Sequence, residues 1–179
     1  MASAEHYIGL MSGTSLDGVD AVLLDFAGSG HRIIGETFLS FEDSLRARLL
    51  AVHKAQSDEI HKAAMLGNEL AQLYAQAVHR LLNKTGVNST AVLAIGCHGQ
   101  TIRHRPDAGY TIQLGSGALL AELTRNIVVC DFRSRDIAAG GEGAPLVPAF
   151  HQAMFAHSSI HRVIVNIGGI ANITDLGSG

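Results

Sequence analysis

Two short apolar runs, Tyr7–Met11 and Val19–Phe26, flank the polar, glycine-bounded stretch Ser12-Gly13-Thr14-Ser15-Leu16-Asp17-Gly18, a pattern that predicts a β-hairpin. A second turn at Ala27 to Gly30 leads into Arg32–Phe41, whose β-branched and aromatic residues (Ile33, Ile34, Thr37, Phe38, Phe41) predict a third strand. The spacing of apolar positions then becomes helical. Ser40 or Asp43 is placed to cap a helix with Leu45, Leu49 and Val52 on one face. Ser57 is placed to cap a longer helix carrying Ile60, Ala64, Leu70, Leu73, Ala77 and Leu81, which Gly86 stops. Beyond it the chain reads as strand (Ala91–Cys97), a loop through Pro106, strand (Thr111–Leu114), helix (Ser116–Arg125) and strand (Ile127–Cys130). A charged and glycine-rich loop from Phe132 to Gly143, a helix (Pro145–Phe155) and a hairpin of Val163–Ile167 with Ala171–Leu176, turning at Gly168-Gly169, complete it.

Three antiparallel strands, a helical excursion and then strand-helix-strand with parallel pairing is the order of a ribonuclease-H-like α/β layer with a mixed sheet. The last hairpin does not fit inside that layer, and a lone hairpin is marginal in water. Residues 1–161 are therefore read as one lobe and 162–179 as the opening hairpin of a second, truncated lobe. The exposed edges of that hairpin are compatible with a homodimer.

Charge narrows the function. With 13 Lys+Arg against 16 Asp+Glu, a net charge of −3 and no long basic run, the chain lacks the electrostatic footprint for nucleic acid or an anionic membrane surface. The longest uncharged stretch, Gly86 to Ile102, is broken by Asn88, Ser89, Thr90, His98 and Gln100, which excludes a membrane span there, and no secretory signal opens the chain. Cys97 and Cys130 stand apart without metal-ligand spacing, which fits a reducing cytoplasm.

The chemistry concentrates in Ser12–Gly18. Glycines at both ends let backbone N–H groups point into a concavity, the hydroxyls of Ser12, Thr14 and Ser15 add donors, and Asp17 offers an oxygen to a hard cation. Such a turn can hold a phosphate–Mg²⁺ pair; the same residues also suit an ordinary hairpin loop. His98 and Gln100 follow a buried-looking strand at its carboxyl end, where ligands gather in open α/β sheets, although a satisfied core histidine would read the same way. Arg133 and Arg135, beside Asp131 and Asp136, can either bind an anion or brace their own loop. Arg103-His104-Arg105 reads as a solvated loop. A two-metal nuclease using Asp17, Asp20 and Asp131 is the competing reading, but the middle of the first strand offers Gly9 and Leu10 rather than an acid.

Tyr-Ile-Gly-Leu-Met-Ser-Gly-Thr-Ser-Leu-Asp-Gly-Val-Asp at Tyr7–Asp20 resembles the N-terminal signature of the anhydro-N-acetylmuramic acid kinases. The resemblance continues through Cys97–Thr101, Asp131–Asp136, Gly140–Pro148 and Asn166–Thr174. It implies an actin-like ATPase with two ribonuclease-H-like lobes and MgATP between them, which opens the anhydro ring of a cell-wall amino sugar with water and phosphorylates the freed 6-oxygen. By resemblance Gly13, Thr14, Ser15, Leu16, Asp17, Gly18, Val19 and Asp20 bind the ATP phosphates, with Asp17 toward the metal. His98, Gln100 and Arg133 face the sugar, and Asn166–Thr174 is the equivalent turn of the second lobe. The family's general base, an Asp, lies in an Asp-Thr-Gly-Pro-Gly-Asn motif that these 179 residues do not contain. The resemblance therefore places that base beyond Gly179 and assigns no catalytic residue before it, so the fragment alone is expected to bind nucleotide without transferring phosphate.

Overall fold

The computed structural model describes residues 4–28, 30–167 and 171–177. Strand β1 (His6–Met11) pairs antiparallel with β2 (Gly18–Asp25), and β2 pairs antiparallel with β3 (Arg32–Ser40). Ile8, Leu10, Val19, Ala21 and Leu23 are buried, while Gly9, Met11 and Asp20 lie on the exposed side, as the pleat requires. Two helices follow, α1 (Asp43–Ala51) and the 27-residue α2 (Glu59–Thr85). Then β4 (Val92–Cys97) adds parallel to β1, Leu10 aligning with Cys97. Helix α3 (Gly117–Thr124), capped by the Ser116 hydroxyl accepting from the Leu119 amide, leads to β7 (Val128–Cys130), parallel to β4. Between them, β5 (Gln100–Arg105) and β6 (Tyr110–Leu114) form a two-stranded sheet of their own.

The five-stranded order β3-β2-β1-β4-β7 is the mixed sheet of a ribonuclease-H-like, actin-like lobe, with β1 at its centre. Helix α2 packs on β2, β3 and α3, with Leu66, Leu70, Tyr74, Ala77, Val78 and Leu81 buried in the core and spaced to keep one face inward. Gly86 ends it in a left-handed conformation, its amide bonding the Leu82 carbonyl.

Several expectations need correction. Ile60 and Ala64 do not belong to the buried stripe: Ile60 is 88% exposed. It sits six residues before Leu66, about 120° round the helix from it. Neither Ser40 nor Asp43 caps α1, whose N-cap is Glu42, and Ser57 does not cap α2, whose N-cap is Asp58. Neither cap makes a side-chain bond. The first turn of α2 is tied down instead by Lys62 donating to the Gln56 amide oxygen and by Glu59 pairing with Arg103 at 2.6 Å. Gln100–Arg105 is a strand rather than a loop, because its inward positions are Gln100 and Ile102 and a buried glutamine breaks the apolar rhythm. Arg103 is accordingly partly buried.

Phe132–Ala138 is a helix, α4, where a loop was expected; none of its residues is fully buried, so no apolar period marks it. It belongs to a second compact unit, residues 105–110 with 132–179, while 1–104 with 111–131 form the first. In the second unit, α5 (Val147–Phe155) packs on the hairpin of β8 (Arg162–Ile167) and β9 (Ala171–Leu176). His151 Nδ1 lies 2.9 Å from the Thr174 hydroxyl. Val165, Ile167 and Ile173 remain exposed on that hairpin, and the expected turn at Gly168-Gly169 lies outside the described residues. So does Gly179, the residue beyond which the general base is expected, and the described part of the hairpin segment ends at Gly177.

Candidate phosphate-binding turn

The segment between β1 and β2 is built from its root outward. The Gly13 carbonyl accepts the Leu16 amide at 3.2 Å, closing a tight turn with Thr14 and Ser15 at its tip. Leu16 adopts a left-handed φ of 55° yet is fully buried in the core, so the turn is anchored by an apolar plug. The Asp17 carbonyl accepts the Phe41 amide at 2.9 Å, tying the far side of the turn to the end of β3. Gly18 must be glycine, because an added Cβ would strike the Leu39 carbonyl and the Phe38 ring. Val19 is buried in the core beneath.

Thr14, Ser15, Asp17 and Asp20 are exposed. The Ser15 hydroxyl donates to Asp17 Oδ1 at 2.6 Å and, as the main cause, holds the Asp17 carboxyl below its ordinary range. Asp20 is shifted the other way, by partial burial first and then by the charges of Asp17 and Glu36. A carboxylate beside two exposed hydroxyls is a set of oxygens that would suit Mg²⁺ and phosphate. The space fits as well: a Cβ on Gly13 would meet only Ser15 Oγ, at 3.8 Å, so the hollow over this glycine is open. Among the described residues no group of three or more His, Cys, Asp or Glu side chains is placed to hold a metal ion.

Residues from β4 and β5 lie directly behind the turn. Gln100 has no exposed surface, and its Nε2 donates to the Gly13 carbonyl at 3.1 Å. The His98 amide donates to the Leu10 carbonyl at 3.1 Å, and its Nδ1 lies 2.7 Å from the Gly99 carbonyl. Since a carbonyl only accepts, Nδ1 carries a proton there. Cys97 is buried and its thiol is pushed up to about 11 by desolvation, so it packs as a small hydrophobe. Arg133 belongs to the second unit: its Nη1 donates to the Gly143 carbonyl at 2.6 Å, while Asp136 Oδ2 accepts the Gly143 amide at 2.8 Å. Both side chains therefore hold the glycine-rich loop through its backbone, and partial burial lowers the Arg133 pKa.

Sequence reasoning missed Tyr74. Its hydroxyl lies 2.7 Å from Ser12 Oγ, which in turn donates to the Gly99 carbonyl at 3.1 Å. The available signal was a tyrosine standing in the inward leucine and alanine stripe of a long helix, because a buried phenol needs a partner.

Known proteins resemble the chain over nearly its whole length. The family model described as anhydro-N-acetylmuramic acid kinase matches residues 5–179. A relative of that name from Nitrosomonas europaea is 60% identical over 173 residues, 96% of this chain and 48% of the relative. One from Thiobacillus denitrificans is 61% identical over 174 residues, 97% of this chain and 46% of the relative. One from Burkholderia pseudomallei is 53% identical over 174 residues, 97% of this chain and 45% of the relative. The chain spans about half the length of the curated relatives it matches.

Proposed function

Because the chain belongs to the anhydro-N-acetylmuramic acid kinase family, we propose that its protein hydrolytically opens 1,6-anhydro-N-acetylmuramic acid and phosphorylates the freed 6-oxygen at the expense of MgATP. The observation that carries this reading is the turn Gly13–Asp20. It offers an open hollow at Gly13, two exposed hydroxyls, and a carboxylate whose pKa is lowered. When bound, MgATP supplies the phosphoryl group and the charge neutralisation that its transfer needs. The chain's own residues would orient it: the Thr14 hydroxyl toward phosphate, and Asp17, to which the Ser15 hydroxyl gives its one proton, toward the metal. His98 and Arg133, each within its own unit, keep their assignment to the sugar, whose lactyl carboxylate a planar guanidinium suits.

Residues 162–179 are assigned to the opening hairpin of a second, similar lobe. The exposed apolar side chains of Val165, Ile167 and Ile173 support that assignment, since strands of a larger sheet carry such faces for burial. The reaction is placed in the cytoplasm, consistent with the two free cysteines. No helix among the described residues is long and apolar enough to cross a membrane.

Titrating MgATP into Asp17→Asn and Gly13→Val tests the turn. Both variants should melt close to the parent, because Asp17 is exposed and the Gly13 site is open, while affinity falls roughly tenfold or more. Unchanged titrations in both would remove this turn as the phosphate site.

A further inference from the structure

We propose that Gln100 is a positioning residue of the phosphate turn, acting with the Tyr74–Ser12 pair to aim the Thr14 amide at the nucleotide. This rests on the reading of Gly13–Asp20 as the phosphate site. A trans peptide is planar, with its C=O and N–H pointing in opposite directions. The Gly13 carbonyl and the Thr14 N–H belong to one such plane. The carbonyl points back into the fold, accepting Gln100 Nε2 at 3.1 Å and the Leu16 amide at 3.2 Å. The Thr14 N–H is thereby turned outward, and among the described residues it makes no backbone bond. An outward N–H at the tip of a glycine-bounded turn is the donor a phosphoryl oxygen seeks.

The amide of Gln100 is held in one sense. Reversed, its oxygen would face the Gly13 carbonyl, acceptor against acceptor. In the orientation present, Oε1 is buried with no partner among the described residues. A buried acceptor left unpaired costs stability, so the site retains a glutamine for the bond its nitrogen makes. The second strut has a fixed direction too. Ser12 Oγ has one proton and gives it to the Gly99 carbonyl, so Tyr74 must donate to Ser12. Tyr74 and Ser12 are 1% and 2% exposed, and Tyr74 stands on α2, the helix most deeply packed against the sheet. The backbone at Gly99 holds a φ of +74°, where a Cβ would lie 2.6 Å from the Leu114 carbonyl, so the strut ends on an unyielding backbone.

The test uses the full-length protein with Gln100→Leu, Gln100→Glu and Tyr74→Phe, read by MgADP and adenosine titrations and by the Thr14 amide signal in nitrogen-15 spectra. Gln100→Leu should weaken MgADP roughly 10- to 100-fold and leave adenosine, which lacks phosphates, unchanged. Gln100→Glu provides a second route if the leucine variant does not fold. A carboxylate cannot donate to Gly13 and a carboxylic acid can, so this variant's MgADP affinity relative to the parent at the same pH should recover as pH falls and the buried acid protonates. Tyr74→Phe should produce a smaller loss in the same direction. If MgADP shifts the Thr14 amide in the parent and binds all three variants with parental affinity at every pH, the positioning role is overturned while the phosphate site stands. If the parent's Thr14 and Ser15 amides ignore MgADP altogether, the underlying reading fails as well.

Discussion

Leu16 combines two demands that rarely meet in one residue. It takes a left-handed φ that costs an L-residue roughly 1 kcal/mol, and it fills the core. Its neighbours sort by charge. Asp17, with a lowered pKa, contributes stability that is present above the unfolded value of 3.8 and lost as pH falls through its folded pKa. Asp20, with a raised pKa, does the reverse: its contribution is complete below 3.8 and is lost as pH rises through the folded value. Asp20→Asn should therefore melt above the parent by a margin that opens as pH rises past 3.8, with solvent screening limiting the gain to about 0.5 kcal/mol. Melting curves between pH 3 and 7 check this, and a margin that shrinks over that range refutes it. Gly18→Ala should cost about 1–3 kcal/mol, because the Leu39 carbonyl and the Phe38 ring must give way; denaturant unfolding measures it. At this scale the polar residues of the turn were legible, since Ser, Thr, Asp and Gly announce themselves. The burial of Gln100 was not, because a polar side chain carries no mark in the sequence of which way it faces.

Elements were legible where one face is apolar and short of signal elsewhere. The first three strands, α2 and α3 stand close to where their patterns put them. The helix α4 and the strand β5 were hidden, one having no fully buried residue and the other an inward glutamine. The phase error along α2 leads to a paired prediction. Leu81→Ala, at a fully buried position, should destabilise by about 2–5 kcal/mol, and Ile60→Ser, 88% exposed, should change stability by less than about 0.5 kcal/mol. Urea unfolding of both variants decides it: a large loss at Ile60 would mean that the first turn of α2 packs on something.

Across the whole molecule, the antiparallel run β3-β2-β1 was legible, because strands joined directly by turns pair antiparallel; the parallel pairing expected of β6 with β7 was not, since β6 pairs with β5 in a sheet of its own and β7 pairs with β4. The 179-residue chain carries two internal reporters of its opening. Cys130 is exposed, whereas Cys97 is buried with its thiol pushed up to about 11 by desolvation. A thiol reagent at neutral pH should modify one cysteine at once and the second only as the fold opens; equal rates would contradict the burial of β4. The plug at Leu16 has a further consequence, in the exchange of amide hydrogens with heavy water. Turn amides ordinarily exchange through local fraying, but the Leu16 amide is bonded to Gly13 and its side chain leaves the core only when the core itself loosens. Its deuteration should therefore keep pace with the central strand β1 rather than with Thr14 and Ser15 beside it, so that one slow proton in a surface turn clocks the unfolding of the sheet.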